Sequence, residues 1–371
     1  MLNEYKGKKV FVTGHTGFKG SWLCEILLAA GAKVHGYALK PTTAPALFDD
    51  LGLAKRLASH RIGDVRDYKS LAMAIYDARP DYVFHLAAQP IVRDSYEIPR
   101  ETFDINVMGT VNLLEAIRSS AARPSSLSAA RQSSRGDGRG KSPIAVVCVT
   151  TDKVYENDDS GRAFKEGDPL GGRDPYSASK GACEIAIASY ARSFFSAPDS
   201  PVRVASARAG NVIGGGDWAN DRIVPDAMRA HAAGESLVVR NRYSTRPWQH
   251  VLEPLAGYLA LGAALKKNAA VASAFNFGPS SATVKTVGAL VRELKRTLPD
   301  LSVEDCSEPN APIEAKLLRL DSRLAKKALG WTPRWDFRKT VAATAEWYDR
   351  FYCGENSRKL TLAQIKEYFG D

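Results

Sequence analysis

Lys9-Val10-Phe11-Val12-Thr13-Gly14-His15-Thr16-Gly17-Phe18-Lys19-Gly20 decides the fold of this chain. Lys9 to Val12 reads as a short apolar strand. Three glycines spaced G-x-x-G-x-x-G follow at once. An amphipathic helix carrying Trp22, Leu23, Ile26 and Leu27 then runs to Gly31. Strand, spaced glycines and helix form the context that a dinucleotide-binding turn requires. Glycine lets the backbone approach a pyrophosphate, and the positive end of the helix favours its charge. A glycine turn without a ligand is the bland alternative, and the flanking strand and helix argue against it.

A second stretch carries chemistry. Val149-Thr150-Thr151-Asp152-Lys153-Val154-Tyr155 is followed by Asp174-Pro175-Tyr176-Ser177-Ala178-Ser179-Lys180. Residues four apart share a helix face, so Tyr176 and Lys180 point into the same space. An ordinary tyrosine has a pKa of about 10. Bringing it to roughly 7 needs about 4 kcal/mol in favour of the phenolate, which a nearby cation can supply. Thr151, Asp152 and Lys153 add a hydroxyl, an acid and an amine, enough for acid–base work on one small substrate. Alone, a Tyr-x-x-x-Lys pair is more often solvated helix surface, and Asp152 and Lys153 are ordinary strand-end residues. The glycine turn upstream is what favours the catalytic reading.

Composition narrows the class. At 371 residues the chain can bury a large core in one large or two unequal domains. The stretch Met1-Leu2-Asn3-Glu4-Tyr5-Lys6 has no apolar signal core, and no run reaches the roughly 20 apolar residues that span a bilayer. Val251 to Leu265 is apolar but interrupted by Glu253, Pro254 and Gly257, so it reads as a packed helix. Cys24, Cys148, Cys183, Cys306 and Cys353 are odd in number, widely spaced and without C-x-x-C. Buried thiols in a reducing cytoplasm are expected, with neither disulfides nor a metal site. The net charge is +10. Arg123, Arg131, Arg135, Arg139 and Lys141 against Asp137 account for +4 of it, inside the Ser/Ala/Gly/Arg segment 119–143. That segment reads as a flexible basic insertion, and a nucleic-acid role through it has little else to support it.

Strand and helix signals alternate, with strands near 9–12, 33–38, 81–86 and 145–150 and helices near 18–30, 68–78, 101–118 and 176–195. Val202 to Ala207 reads as another strand. The pattern predicts an α/β fold with a doubly wound parallel sheet. After about residue 212 it loosens into Pro-punctuated pieces, read as a smaller C-terminal substrate lobe.

The G-x-x-G-x-x-G turn joined to Tyr176-x-x-x-Lys180 resembles the extended short-chain dehydrogenase/reductase superfamily of nucleotide-sugar epimerases and dehydratases. Further resemblances lie at Gly63-Asp64-Val65-Arg66-Asp67, His85-Leu86-Ala87-Ala88-Gln89 and Asn106-Val107-Met108-Gly109-Thr110. Four more segments are similar to its 4,6-dehydratases, with CDP-glucose the implied substrate. They are Gly14 to Trp22, Thr150 to Asn157, Arg208-Ala209-Gly210-Asn211-Val212-Ile213-Gly214-Gly215-Gly216-Asp217-Trp218, and Arg246-Pro247-Trp248-Gln249-His250-Val251-Leu252-Glu253. The resemblance implies a Rossmann domain over 1–212, with segments near 248–256 and 274–278 returning to it. It implies a nucleotide-sugar lobe over 213–371 and a homo-oligomer, dimer or tetramer.

The implied reaction oxidises the sugar at carbon 4, eliminates the 6-hydroxyl and returns hydride to carbon 6. In it Tyr176 is the base for the 4-hydroxyl, Lys180 lowers its pKa and holds the cofactor ribose, and Thr151 hydrogen-bonds the reacting oxygen. Asp152 is the acid for the leaving group. Lys153 stands where relatives acting on dTDP-glucose or GDP-mannose have Glu. It is either the carbon-5 base or a charge that stabilises the enolate. The implied cofactor contacts are Gly14, His15, Thr16, Gly17, Phe18, Gly20, Asp64, Val65, Leu86, Ala87 and Ala88, with Tyr176 and Lys180. Arg222 and Arg246 offer guanidinium forks to a diphosphate. Gln89, Asn211 and Asn276 complete the expected substrate contacts. His250 and His15 are read as positional. The implied cofactor is NAD, although Gly36-Tyr37-Ala38-Leu39-Lys40 lacks the acid that usually holds the NAD ribose, and Lys40 would suit NADP. A 4-epimerase would share Tyr176, Lys180 and Thr151 but needs no acid–amine pair. A dinucleotide-sensing binding protein needs no Tyr–Lys pair.

Replacing 119–143 with a short Gly/Ser turn is expected to change stability by less than about 1 kcal/mol, because loop-closure entropy varies slowly with length. Denaturant unfolding and turnover of the shortened protein check this. A folded variant without activity would show that the segment supports the catalytic strand.

Overall fold

The computed structural model describes residues 1–122, 142–158, 160–268, 271–307 and 318–370. The expected insertion 119–143 falls mostly outside them. Among the described residues, seven parallel strands form one sheet: β1 (Lys9–Thr13), β2 (Lys33–Ala38), β3 (Ser59–Ile62), β4 (Tyr82–His85), β5 (Ile144–Val149), β6 (Val202–Ala209) and β7 (Ala274–Phe277). Their order is β7-β6-β5-β4-β1-β2-β3. The chain starts at β1 in the middle, winds out to β3, then crosses back to β4 and winds to the other edge. The reversal lies between β1 and β4, and in such sheets ligands bind at the carboxyl ends beside the reversal.

Residue alternation divides the core. Val10 and Val12 of β1 enter the apolar cluster on one face, and Phe11 enters the cluster on the other. The first face is covered by α1 (Phe18–Ala29), whose Trp22, Leu23, Ile26 and Leu27 are fully buried. The second is covered by α2 (Tyr68–Ala78), α3 (Gly109–Ala122) and α4 (Pro175–Phe194), through Leu71, Ile75, Leu113, Ile117 and Ile187. Burial on both faces explains why β5 is continuously apolar and β4 is so up to His85. Side-chain caps start the helices: Asp67 accepts from Ser70 N at 3.1 Å, and Asp174, followed by Pro175 at the first helical position, accepts from Ser177 N at 2.9 Å.

Two elements differ from the sequence reading. The polar edge strand β3 was not anticipated, since Ser59-His60-Arg61-Ile62 carries no apolar run. The helix expected over 101–118 is interrupted by a π-turn at Asp104–Met108. There Asn106 turns inward, accepting from Gln89 N at 2.9 Å and donating to Gln89 O at 3.2 Å and Ser179 Oγ at 2.9 Å. The bulge re-aims a polar side chain that ties the β4 end to α4. The cysteine expectation also needs correction: Cys24, Cys148 and Cys183 are buried free thiols, but Cys306 and Cys353 are exposed.

After β6 the chain forms α5 (Ile223–Ala233), then α6 (Leu252–Lys267), which returns to the sheet, and α7 (Val287–Thr297). Ser236–Val239 pairs with Ser302–Asp305, and Thr245–Pro247 pairs with Val284–Thr286. Of the terminal helices, α8 (Phe337–Tyr352) packs against α7 and α5, and α9 (Ser357–Phe369) against α1 and α8. The buried Glu253 carboxylate ties this packing to α6. It accepts from Arg334 N at 2.9 Å, Trp335 N at 2.7 Å and the Tyr368 hydroxyl at 2.6 Å. No described helix is long and apolar enough to cross a membrane.

A second buried carboxylate, Glu184 of α4, joins helix to sheet. It accepts from the Thr150 hydroxyl beyond β5, from Ser206 Oγ at 2.7 Å and from Arg208 Nη2 at 2.8 Å, both on β6. Arg208 also donates to the Tyr155 hydroxyl at 2.7 Å, which donates to Asn276 Oδ1 on β7 at 2.7 Å. The Glu184–Arg208 pair is almost wholly buried. Removing one partner strands the other charge, so Glu184→Leu and Arg208→Met should each cost about 3–5 kcal/mol. The double variant should lose less than the sum in denaturant unfolding. Single losses under about 1 kcal/mol would mean that the pair does not brace the sheet.

Candidate active site at the carboxyl ends of the strands

A cleft of about 1180 Å³ opens over the reversal between β1 and β4. Its floor at one end is the glycine turn. Gly14 has φ +73°, and a Cβ there would lie 2.7 Å from Ala87 N. A Cβ on Gly20 would strike the Gly14 carbonyl. Only glycine lets this turn close onto the β4 end, leaving its backbone and the first turn of α1 facing the cleft. Thr16 Oγ1 donates to Leu39 O at 2.8 Å and fixes the turn against the β2 end. This cradle fits a dinucleotide pyrophosphate. Asp64, Val65, Leu86, Ala87 and Ala88 line the same end. Asp64 is gripped by Arg66 at 2.6 Å, which holds its carboxyl below the usual range.

The chemical groups meet in the middle. Thr151 caps a short turn, Asp152–Val154, just past β5, and Tyr176 and Lys180 project from α4. Thr151, Tyr176 and Lys180 line the cleft. The Thr151 hydroxyl faces Tyr176 and donates to Asp152 Oδ1 at 3.0 Å. Burial raises the Asp152 carboxyl, with Lys153, Thr151 and Lys19 pulling it back. Burial also pushes the Tyr176 phenol up to about 12, opposed by Thr151 and by the charge of Arg222. Lys180 is lowered by burial and makes no hydrogen bond among the described residues. In the protein alone, burial outweighs the Thr151 hydrogen bond and the charge of Arg222 at Tyr176.

The structure sorts the remaining site candidates. Gly14, Thr16, Gly17, Phe18, Gly20, Asn211, Arg222 and Arg246 line the cleft. Arg222 is paired with Asp217 at 2.8 Å, and Arg246 Nη1 donates to Thr245 O at 2.8 Å. Five candidates do not line it. His15 lies buried beneath the turn, with its Nε2 2.7 Å from His60 Nδ1. Gln89 closes its own turn, donating to Ile91 O at 2.9 Å and accepting from Ile91 N at 3.0 Å. Asn276 is fully buried, accepts from Tyr155 and donates to Phe164 O at 2.9 Å, so its amide is committed to the brace. The amides of Gln89 and Asn276 thus bond within the protein. Asp152 sits behind Thr151, and Lys153 is half-buried beside it.

Sequence reading missed Lys19 and Asp217, both of which line the cleft. Lys19 carried a local signal: a cation in the first turn of a helix opposes the macrodipole. Asp217 had none, because its partnership with Arg222 depends on a loop.

The comparisons with known proteins agree with this geometry. The family model described as GDP-mannose 4,6 dehydratase matches residues 11–344. The CDP-glucose 4,6-dehydratase of Salmonella typhimurium is 42% identical over 370 residues, covering 99% of this chain and 97% of that protein. The GDP-mannose 4,6-dehydratase of Vibrio cholerae is 37% identical over 116 residues, 30% of this chain and 31% of its own. Among solved structures, dTDP-glucose 4,6-dehydratase from Bacillus anthracis, in complex with NAD, superposes with TM-score 0.70 at 20% identity over 92% of this chain and 96% of that one. A UDP-glucose-4-epimerase from Stenotrophomonas maltophila gives 0.76 at 21% identity over 94% and 100%. At such identities the structures speak for the fold, and the sequence matches speak for the family: the chain belongs to the GDP-mannose 4,6-dehydratase family.

Proposed function

We propose that the protein is an NAD-dependent nucleotide-sugar 4,6-dehydratase that converts CDP-glucose to CDP-4-dehydro-6-deoxyglucose and water. The choice of CDP-glucose follows the full-length relative. The choice of dehydration over epimerisation rests on the same relative and on one observation: a buried carboxyl, Asp152, is hydrogen-bonded to Thr151. An epimerase eliminates nothing and has no use for it.

Gly14, Gly17 and Gly20 would hold the NAD pyrophosphate on the first turn of α1, Asp64 and Val65 its adenine, and Lys180 its ribose. Bound there, NAD supplies a two-electron acceptor that later becomes the donor. Tyr176 takes the proton of the 4-hydroxyl while Thr151 hydrogen-bonds that oxygen. A nearby positive charge, added to Arg222, favours the phenolate that burial disfavours. The ketone acidifies carbon 5. Lys153 takes that proton or steadies the enolate, and Asp152 gives its proton to the leaving 6-hydroxyl. The raised Asp152 pKa has the right sign, because the protonated acid persists to higher pH than in an ordinary carboxyl. Elimination should therefore weaken as pH climbs through that value, while oxidation, which needs Tyr176 to give up its proton, should strengthen. Asn211, Arg222 and Arg246 hold the nucleotide diphosphate, with Arg222 exchanging Asp217 for phosphate.

In this reading residues 1–212 with the returning segments hold the dinucleotide, and residues 213–371 contribute the nucleotide-sugar side. Exposed apolar side chains at Ile98, Phe103, Met108 and Ile185 favour a homo-oligomer, dimer or tetramer. A reducing cytoplasm suits the free thiols.

Tyr176→Phe is expected to lose oxidation by at least about 100-fold, the usual contribution of a general base. Lys153→Met should oxidise yet fail to eliminate, so reduced nicotinamide builds up with CDP-glucose in that variant alone. Absorbance of reduced nicotinamide in a single turnover checks both. Identical behaviour of the two variants contradicts the division of labour.

A further inference from the structure

Gly210 directly follows β6 and lines the cleft. Its backbone does not call for a glycine: Gly14 and Gly216 have positive φ, and Gly210 does not. Packing against the backbone does not call for one either. At Gly14 and Gly20 an added Cβ would strike main-chain atoms. At Gly210 the three atoms nearest to an added Cβ are Asp152 Oδ2 at 2.8 Å, Asp152 Cγ at 3.5 Å and Pro247 Cγ at 3.8 Å. The close contact therefore falls on the free end of one side chain, and that side chain is the carboxyl assigned to the leaving group.

Asp152 does not itself line the cleft, but two residues that do line it touch its carboxyl. The Thr151 hydroxyl donates to Oδ1 at 3.0 Å, and Oδ2 lies against Gly210. A carboxyl that accepts at one oxygen carries its proton on the other. The oxygen with the proton to give is thus the one that occupies the space of the missing Gly210 side chain. Both partners are held from behind. Thr150 and Arg208, two residues before Asp152 and Gly210 respectively, bond the same Glu184 carboxylate.

We propose that Gly210 is a positioning residue: by carrying no side chain it lets Asp152 Oδ2 stand at the cleft wall, within reach of the departing 6-oxygen. The inference rests on the dehydratase reading. When the carbon-5 proton is taken, its electron pair forms the carbon 5–carbon 6 double bond and the carbon 6–oxygen bond breaks. The departing oxygen takes the Asp152 proton and leaves as water. A methyl group at Gly210 would push the carboxyl off this line and leave the backbone, the glycine turn and Tyr176 where they are. Oxidation at carbon 4 does not use the Asp152 proton, so the substitution acts on the second step alone.

Gly210→Ala, Asp152→Asn, the double variant and the wild type should be compared with CDP-glucose under saturating NAD. Gly210→Ala should fold and oxidise as the wild type does, then release water about tenfold or more slowly and accumulate reduced nicotinamide, since a catalytic group misplaced by about 1 Å can lose about 100-fold. Asp152→Asn keeps the shape but has no proton to give, and should lose at least about 100-fold in water release. The double variant should be no slower than Asp152→Asn alone, because both changes remove the same interaction. A double variant slowed further by the full Gly210→Ala factor would overturn the inference, because Gly210 would then act without Asp152. A Gly210→Ala protein that fails to fold, loses oxidation as much as elimination, raises KM at unchanged kcat, or releases water at the wild-type rate would overturn it too. Wild-type protein that releases no water from CDP-glucose would overturn the dehydratase reading itself, which separates the two failures.

Discussion

Glu184 is the constraint on which the site depends. One carboxylate, nearly inaccessible to water, receives Thr150 from the end of β5, Ser206 and Arg208 from β6, and is itself carried by α4. Tyr176 and Lys180 lie on that helix two turns and one turn earlier, while Thr151 and Asp152 follow Thr150 directly. The relative placement of Tyr176, Lys180, Thr151 and Asp152 is thus set by the distance from one carboxylate to two strands. Arg208 extends the brace to Tyr155 and, through it, to Asn276 on β7. A buried charge network of this kind adds little net stability, but its members are costly to remove singly. What it provides is geometry: the helix cannot slide along the sheet without unpairing a charge.

Inside that frame, burial and charge compete over each group. Desolvation raises Asp152 and Tyr176 and lowers Lys180 and Lys19, in each case toward the neutral form. An acid that must arrive protonated benefits. A phenol that must accept through its anion does not, and at about 12 it depends on positive charge brought close to it. The cleft carries several cations: Lys180, Lys19 and Arg222 line it, and of these Arg222 is paired with Asp217.

What the sequence disclosed was whatever is local in the chain. The glycine turn is a backbone requirement written at Gly14 and Gly20, and the helix after it is written in Trp22, Leu23, Ile26 and Leu27. The Tyr176–Lys180 pair is a helical spacing with a cap at Asp174 and Pro175. β3 was illegible because an edge strand with Ser59, His60 and Arg61 needs no apolar pattern. The π-turn was illegible because a single inward amide, Asn106, imposes it through partners at Gln89 and Ser179. The internal bonds of Gln89 and Asn276 were illegible for the same reason: each depends on partners that the fold brings up. Asn276 finds Tyr155 across 121 residues, which no spacing foretells.

The central claim is that one site oxidises, eliminates and reduces the same sugar. CDP-glucose deuterated at carbon 4 tests it most directly, with the product analysed by mass spectrometry and NMR. The account predicts loss of one water and deuterium at carbon 6 of the product. Deuterium released to solvent, or kept at carbon 4 without loss of water, would contradict it.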